Sequence, residues 1–357
     1  MSDTANDPTS QINGDFAPVR PATEDADAWK AYWQAQGMPW RTEPEIPTER
    51  QAYFSERRAI TPDIQQGIYP FKGVEPKLTR ADIEWLLATH SDGRGPVQWD
   101  EERNKDPDYQ RWGLKLRGAD VRQLNLRGLP LAHTMAGLSS LFWLNPTEEQ
   151  RTAAEARLDG ANLEGAHLEG SDFSRAHLEW ANLDRAHLEG VDLSQAHLDR
   201  ATLRYAHLEG SNLERATLAH PDGTDCTGAY FEGVNLYDTH LERAILSETQ
   251  MEGASFILAH LQEAILTNEH LPGALFAEAH MEGAHFTGAH FEGKTYPPGD
   301  MGFERIWRTT SSFPRLLPPT DLRLAYFGTG TSLFGAQSGA AQFGFVTVAD
   351  ARWAVST

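Results

Sequence analysis

Residues 156–220 read ARLDG ANLEG AHLEG SDFSR AHLEW ANLDR AHLEG VDLSQ AHLDR ATLRY AHLEG SNLER ATLAH, thirteen units of five with no slip. Residues 221–223, PDG, interrupt the period with residues that favour a turn. Fourteen further units follow over 224–293, from TDCTG AYFEG to AHFTG AHFEG, and residues 114–133 supply four earlier ones, LKLRG ADVRQ LNLRG LPLAH. A period of five matches neither 3.6 nor 2, so an amphipathic helix, a heptad coil and a simple alternating strand all fail. Such a chain needs a corner every five residues. Four corners close a square coil, and coils stacked at the strand spacing of roughly 4.8 Å pair each backbone with its neighbours above and below.

Each unit carries a small first residue, usually Ala, and a large apolar third residue, usually Leu or Phe. Both are expected to point inward, leaving the second, fourth and fifth positions outside. This A-[DN]-L-x-x pattern, complete over 156–293 and good over 114–133, resembles that of the pentapeptide repeat proteins. The resemblance implies an all-β solenoid, a right-handed quadrilateral β-helix. It implies little about function, because one fold hosts many roles.

Every fourth unit shares a face. Counting faces from Ala156 and keeping the count across 221–223, face three stacks Glu169, Glu189, Glu209, Glu232, Glu252 and Glu292 at its fourth position, with glycine at every fifth position. Like charges at strand spacing cost stability. The ladder is therefore read as a candidate acidic contact surface, with plain duplication of a twenty-residue unit as the alternative. Eleven of the fourteen histidines occupy the second position, mostly on faces one and three. Stacked solvated rings are expected of them. No metal is expected, because a flat column offers each ring only two neighbours and a structural zinc site wants about four convergent ligands. Glu neighbours favour the charged imidazole, so the negative field is expected to fade below about pH 6.5. Apolar residues gather outside toward the end of the repeat, at Ile245, Ile257, Leu258, Ile265 and Leu275. They mark a covered surface, packed by the chain's own tail or by a second subunit in a homodimer. Cys226 falls in a Leu column and reads as a small buried hydrophobe.

The charge follows the repeat. Lys and Arg total 31 against 51 Asp and Glu, a net of -20. Residues 156–293 hold 23 acids and 7 bases, a net of -16. Direct binding of nucleic acid or an anionic membrane through a basic face is thereby disfavoured. A single cysteine rules out a disulfide framework. The opening MSDTANDPTS has neither a basic nor an apolar run, so no signal peptide is expected and a cytoplasmic location is. No GxGxxG, Walker, HExxH or GxSxG motif is present, and Leu and Phe fill the interior. No catalytic residue, metal or cofactor is expected. The functional expectation is a non-enzymatic protein-interaction scaffold, with a protein partner that has a basic surface. The family resemblance implies an alternative, a mimic of duplex DNA that binds DNA gyrase or a related topoisomerase. Its arithmetic is compatible: -16 over about 6.75 coils of roughly 4.8 Å approaches the one charge per 1.7 Å of duplex DNA.

The flanks complete the organisation. Residues 1–28 are polar and read as disordered, and 29–113 as a helical domain or cap holding six of the ten tryptophans. Its expected helices are DAWKAYWQAQ closed by Gly37, the stretch from Thr48 to Arg58, and IEWLLATH opened by a Thr79–Asp82 capping box. Residues 114–133 form a first coil and 134–155 an insertion that contains the helical TEEQRTAAEA. The main β-helix spans 156–293, a second insertion 294–319, and further repeats with a cap 320–357.

Overall fold

The computed structural model describes residues 19–22, 25–99, 112–138, 146–219 and 223–291, together with four two-residue strands beyond them. Contacts divide the chain into Met1–Glu45 and Ile46–Thr357. The boundary thus falls inside the helical domain expected over 29–113.

In the first unit, α1 (Ala26–Ala35) starts two residues before the end of the stretch read as disordered. Asp25 caps it by accepting from the amides of Asp27 and Ala28, and Gly37 follows its end at φ 76. Trp29 and Trp33 are buried on one face, one helical turn apart, with rings 5.6 Å apart. The Arg41 guanidinium sits 3.5 Å above the Trp33 ring, whose Nε1 donates to the Glu43 carbonyl.

The second unit opens with α2 (Thr48–Arg58), α3 (Arg80–Ala88) and the single turn α4 (His90–Gly93). The capping box at Thr79 and Asp82 is formed in both directions. Asp82 also takes a two-pronged contact from Arg50, at 3.1 and 2.9 Å, which ties α2 to α3. Phe54 is fully buried between Phe71 and Trp85. This helical layer caps the first coil. Lys72 pairs its backbone with Ala119, the Arg80 guanidinium donates to the Asn125 carbonyl, and His90 Nε2 lies 2.8 Å from the Trp112 carbonyl. The cap hides an end that a solenoid must otherwise expose.

From Leu114 the chain is a right-handed quadrilateral β-helix. The second residue of each unit bridges in parallel to the unit one coil on, as in His167 to His187 to His207 to Tyr230. Four hydrogen bonds recur, one of them from the second-position amide back to the previous coil, as His187 N donates to the Ala166 carbonyl at 2.9 Å. The third-position amide donates to the next coil, as Leu168 N does to the His187 carbonyl at 2.8 Å. The fifth-position amide does the same, as from Gly170 N to the Glu189 carbonyl at 3.0 Å. The first-position amide closes the corner on its own coil, as from Ala161 N to the Leu158 carbonyl at 2.9 Å. Third-position residues from Leu158 to Phe291, Cys226 included, are at most 2% exposed. Each large one contributes on the order of 1.5–3 kcal/mol of burial. The register passes over 221–223 unchanged, since Thr202 bridges Asp225 and Thr217 bridges His240.

Two features depart from the sequence reading. The first coil runs past residue 133: Met135 bridges both Lys115 and Asp172, so 134–138 form a fifth unit and the excursion begins only afterwards. TMAGL hides this, because Thr134 replaces Ala at the first position and Ala136 stands where Leu is usual. The buried Thr134 hydroxyl is satisfied by donating to the Leu131 carbonyl at 2.6 Å. The excursion carries α5 (Glu148–Ala154), capped by Thr147, and Ala154 packs with Tyr69 and Leu138. The repeat then resumes in step, with Asp120 bridging Arg157.

The corners are the second feature. Among the described residues the fifth residue of nearly every unit has positive φ, and at sixteen positions that residue is not glycine, Arg185 (58) and Tyr205 (57) among them. Such a residue costs on the order of 1–2 kcal/mol in this conformation, which explains why glycine recurs there. Beyond the main helix, β1 (Lys294–Thr295) pairs antiparallel with β2 (Leu316–Leu317), and β3 (Tyr326–Phe327) pairs in parallel with β4 (Thr347–Val348). The remainder of the stretches expected as 294–319 and 320–357 lies outside the described residues. Among the described residues no helix is long and apolar enough to cross a membrane.

Candidate functional site

The Glu ladder of face three does not stand out in solvent as the sequence reading expected. Glu169, Glu209, Glu232 and Glu252 are 5, 1, 6 and 1% exposed, Glu189 is half-buried, and Glu292 lies outside the described residues. At Glu169, Glu189 and Glu209 a histidine stands two residues earlier, while Tyr230 and Gln250 hold that place before Glu232 and Glu252. Residues i and i+2 on an extended segment point to the same side, so each AHLEG unit folds its imidazole over its own carboxylate. His167 Nδ1 lies 2.9 Å from Glu169 Oε1, His187 Nδ1 3.3 Å from Glu189 Oε1, and His207 Nδ1 3.5 Å from Glu209 Oε1. The rings then stack along the helix. His167 and His187 are 4.6 Å apart, His187 and His207 5.0 Å, and His207 and Tyr230 4.6 Å, all within 11° of parallel. A sheet of rings thus covers a row of carboxylates.

Face one repeats the device. His177 with Glu179, His240 with Glu242 and His280 with Glu282 are spaced 3.1–3.6 Å, and the His240, His260 and His280 rings stack at 4.5 and 5.4 Å. Each of these paired histidines therefore has a third neighbour, its own carboxylate, which a column of rings taken alone omits. His167, Glu169 and His187 bring one ligating atom each within 4.8 Å of one another. His240, Glu242 and His260 do the same, as do Glu189, His207 and Glu209. Donating a hydrogen bond to Glu169 raises the pKa of His167 above its ordinary range, and donating to Glu155 does the same for His177. Against Trp99, burial pushes His133 the other way.

The glycine corner of face three is partly occupied. A Cβ on Gly170 would meet the Trp99 ring at 2.5 Å and His133 at 2.9 Å, and Gly170 itself has φ 62. The segment after α4 therefore crosses the corner where only glycine leaves room. Farther along the same face, Glu269 takes the first position, which Ala holds at Ala206, Ala229 and Ala289. It is fully buried, neither carboxylate oxygen has a hydrogen-bond partner, and burial pushes the group up to about 9.

Face two and its corners are the more open surface. Trp180 is 60% exposed with the Arg200 guanidinium 4.2 Å from its ring, and Tyr205 is 48% exposed. Between them Arg204 pairs with Asp184. The apolar set expected to mark a covered surface is divided. Ile245, Ile257, Leu258 and Ile265 are half-buried, with Ile245 bridged to Ile265, while Leu275 is 36% exposed. Cys226 is fully buried, and burial pushes its thiol up, away from reactivity.

A repeat motif of the family described as pentapeptide repeats (8 copies) matches residues 154–190, 181–218, 224–262 and 254–293. The chain belongs to the pentapeptide repeat proteins. Among solved structures it is similar to the pentapeptide repeat protein Rfr23 from the cyanobacterium Cyanothece 51142, with 35% identity over 36% of this chain and 86% of that one, at a TM-score of 0.31. It is also similar to HetL from Nostoc, a pentapeptide repeat protein involved in heterocyst differentiation regulation. There the identity is 22% over 67% of this chain and 86% of that one, at a TM-score of 0.40. A third likeness is to QnrB1, a plasmid-mediated fluoroquinolone resistance protein, with 17% identity over 53% of this chain and 84% of that one, also at 0.40. No curated protein matches the chain.

Proposed function

We propose that this chain is a non-catalytic scaffold that docks a protein partner on the open face of its β-helix. One observation carries the reading: exposed Trp180 and Tyr205, with Arg200 against Trp180, are presented from corners in the left-handed conformation. Trp, Tyr and Arg dominate the energetics of protein contacts. A corner that carries them in place of glycine gives up backbone stability for an exposed side chain. The solid Leu and Phe interior leaves the outward columns as the surface available for recognition.

The test is affinity purification from the source cell with the full chain, its Trp180→Ser/Tyr205→Ser variant, and Glu169→Gln as a comparison. The scaffold reading expects partners retained by the natural chain and by Glu169→Gln, and lost from the aromatic variant. Equal capture by all three would remove the aromatic corners as the contact.

A second reading, a DNA mimic directed at gyrase, is supported by the net of -16 over 156–293. Burial of the Glu column and the pairing of Asp184, Asp238 and Glu263 with arginines weigh against it. It expects inhibition of gyrase supercoiling, or protection from a quinolone, at micromolar protein. No effect in either assay would discard it.

A further inference from the structure

We propose that the histidine–glutamate columns bind divalent transition metal ions of the zinc and nickel class. One site is formed by His167, Glu169 and His187 on face three, and a second by His240, Glu242 and His260 on face one. In each set one donor atom per residue already lies within 4.8 Å of the others. The donors come from adjacent coils locked together by backbone hydrogen bonds, Leu168 N to the His187 carbonyl at 2.8 Å and Leu241 N to the His260 carbonyl at 2.8 Å. The scaffold for the ligands is therefore rigid, and only side-chain torsions need to move.

A second observation points to a cation. Glu169 has 6% of its side chain exposed. One oxygen meets His167 Nδ1, while the buried Oε2 has no hydrogen-bond partner. Glu242 repeats this arrangement, with Oε1 at 3.1 Å from His240 Nδ1 and a buried Oε2 that has no partner. A carboxylate oxygen shielded from water is costly to leave unpaired, and on both faces it belongs to a carboxylate whose other oxygen meets an imidazole. A bound cation would satisfy it.

The donor set selects the ion. Two imidazoles and one carboxylate suit zinc, nickel or copper, whereas calcium and magnesium prefer all-oxygen shells. His167 is half exposed and His260 is 30% exposed. Each site therefore has an open side for entry and for water to complete the coordination. Bonds of about 2.0–2.1 Å require the donors to draw closer than they now stand, so binding rotates the imidazoles out of their parallel stack. No covalent or redox step is involved.

The test uses the full chain without a histidine tag, in a non-coordinating buffer, titrated calorimetrically with Zn²⁺ and with Ni²⁺. Mg²⁺ is the comparison ion. Two saturable sites per chain are expected for zinc and none for magnesium. His167→Asn/His187→Asn is expected to remove one site, and His240→Asn/His260→Asn the other. Asparagine occupies this position at Asn162, Asn182 and Asn212, so the coils accept it. Glu169→Gln is expected to weaken the first site at least tenfold. His285→Asn, a lone ring on face two bridged to Ile265, is expected to change nothing. Co²⁺ bound in place of zinc should give a visible absorption band that the double variants lose. The proposal is overturned by zinc binding no tighter than magnesium, by affinities unchanged in both asparagine pairs, or by His285→Asn lowering binding as much as they do.

Discussion

Glu269 offers the most quantitative check. It stands where the same column carries Ala at Ala206, Ala229 and Ala289, and it is fully buried with neither oxygen paired. Burial raises its carboxyl from 4.5 to about 9, and only its own backbone amide works against the shift. The sign is that of an acid with a raised folded-state value. Between pH 4.5 and 9 the folded chain holds a proton that the unfolded chain has released, so stability falls as pH rises through that window. Each unit costs about 1.4 kcal/mol. At pH 7 the penalty is about 3 kcal/mol, at pH 5 below about 1, and at pH 8 about 5. Glu269→Ala removes it and substitutes the residue the column already uses. Any space left by the shorter side chain subtracts a part that does not vary with pH. Urea unfolding of the natural chain and the variant at pH 5, 6, 7 and 8 should show the variant gaining about 1.4 kcal/mol per pH unit. A stability difference independent of pH, or a natural chain more stable than the variant at pH 8, would refute the reasoning.

Three further outcomes follow from the packing. Gly170→Ala should cost more than Gly165→Ala, since both have φ 62 but only the former meets the Trp99 ring. The backbone strain common to both is about 1–2 kcal/mol, so their difference in thermal denaturation isolates the Trp99 contact. Arg185→Gly should stabilise by ~0.5–1 kcal/mol by relieving φ 58, whereas Arg185→Ala should not, as equilibrium unfolding will show. The Cys226 thiol should resist a colorimetric thiol reagent in the folded chain and react fully once the chain is unfolded.

The period of five made the β-helix legible because each unit repeats the same inward pair, and the columns assigned by counting fours are those the bridges form. Met135 escaped the count because Ala136 carries no bulk and Thr134 satisfies its hydroxyl locally, so the unit lacks the apolar signature by which the others are recognised. The period puts the Glu column on face three, but the burial of Glu169, Glu209, Glu232 and Glu252 depends on how the coils pack, which the period does not specify. Residues two apart on an extended segment share a side, so every HLEG brings its imidazole onto its own carboxylate. Glu269 was also readable as an acid at an Ala position, but its isolation depends on the coils around it.

The central claim is that residues one coil apart stand side by side, because every outward column depends on it. Asn182 and Thr202 are such a pair, bridged in parallel with their side chains 3.2 Å apart. Paired cysteines at the coil spacing of roughly 4.8 Å fall within reach of a disulfide. Mild oxidation of the Asn182→Cys/Thr202→Cys chain should give a rapid intramolecular cross-link. The Asn182→Cys/His207→Cys chain, whose second site lies one face further on, should give none. Cross-linking of the second pair in preference to the first would contradict the square coil and every column drawn from it.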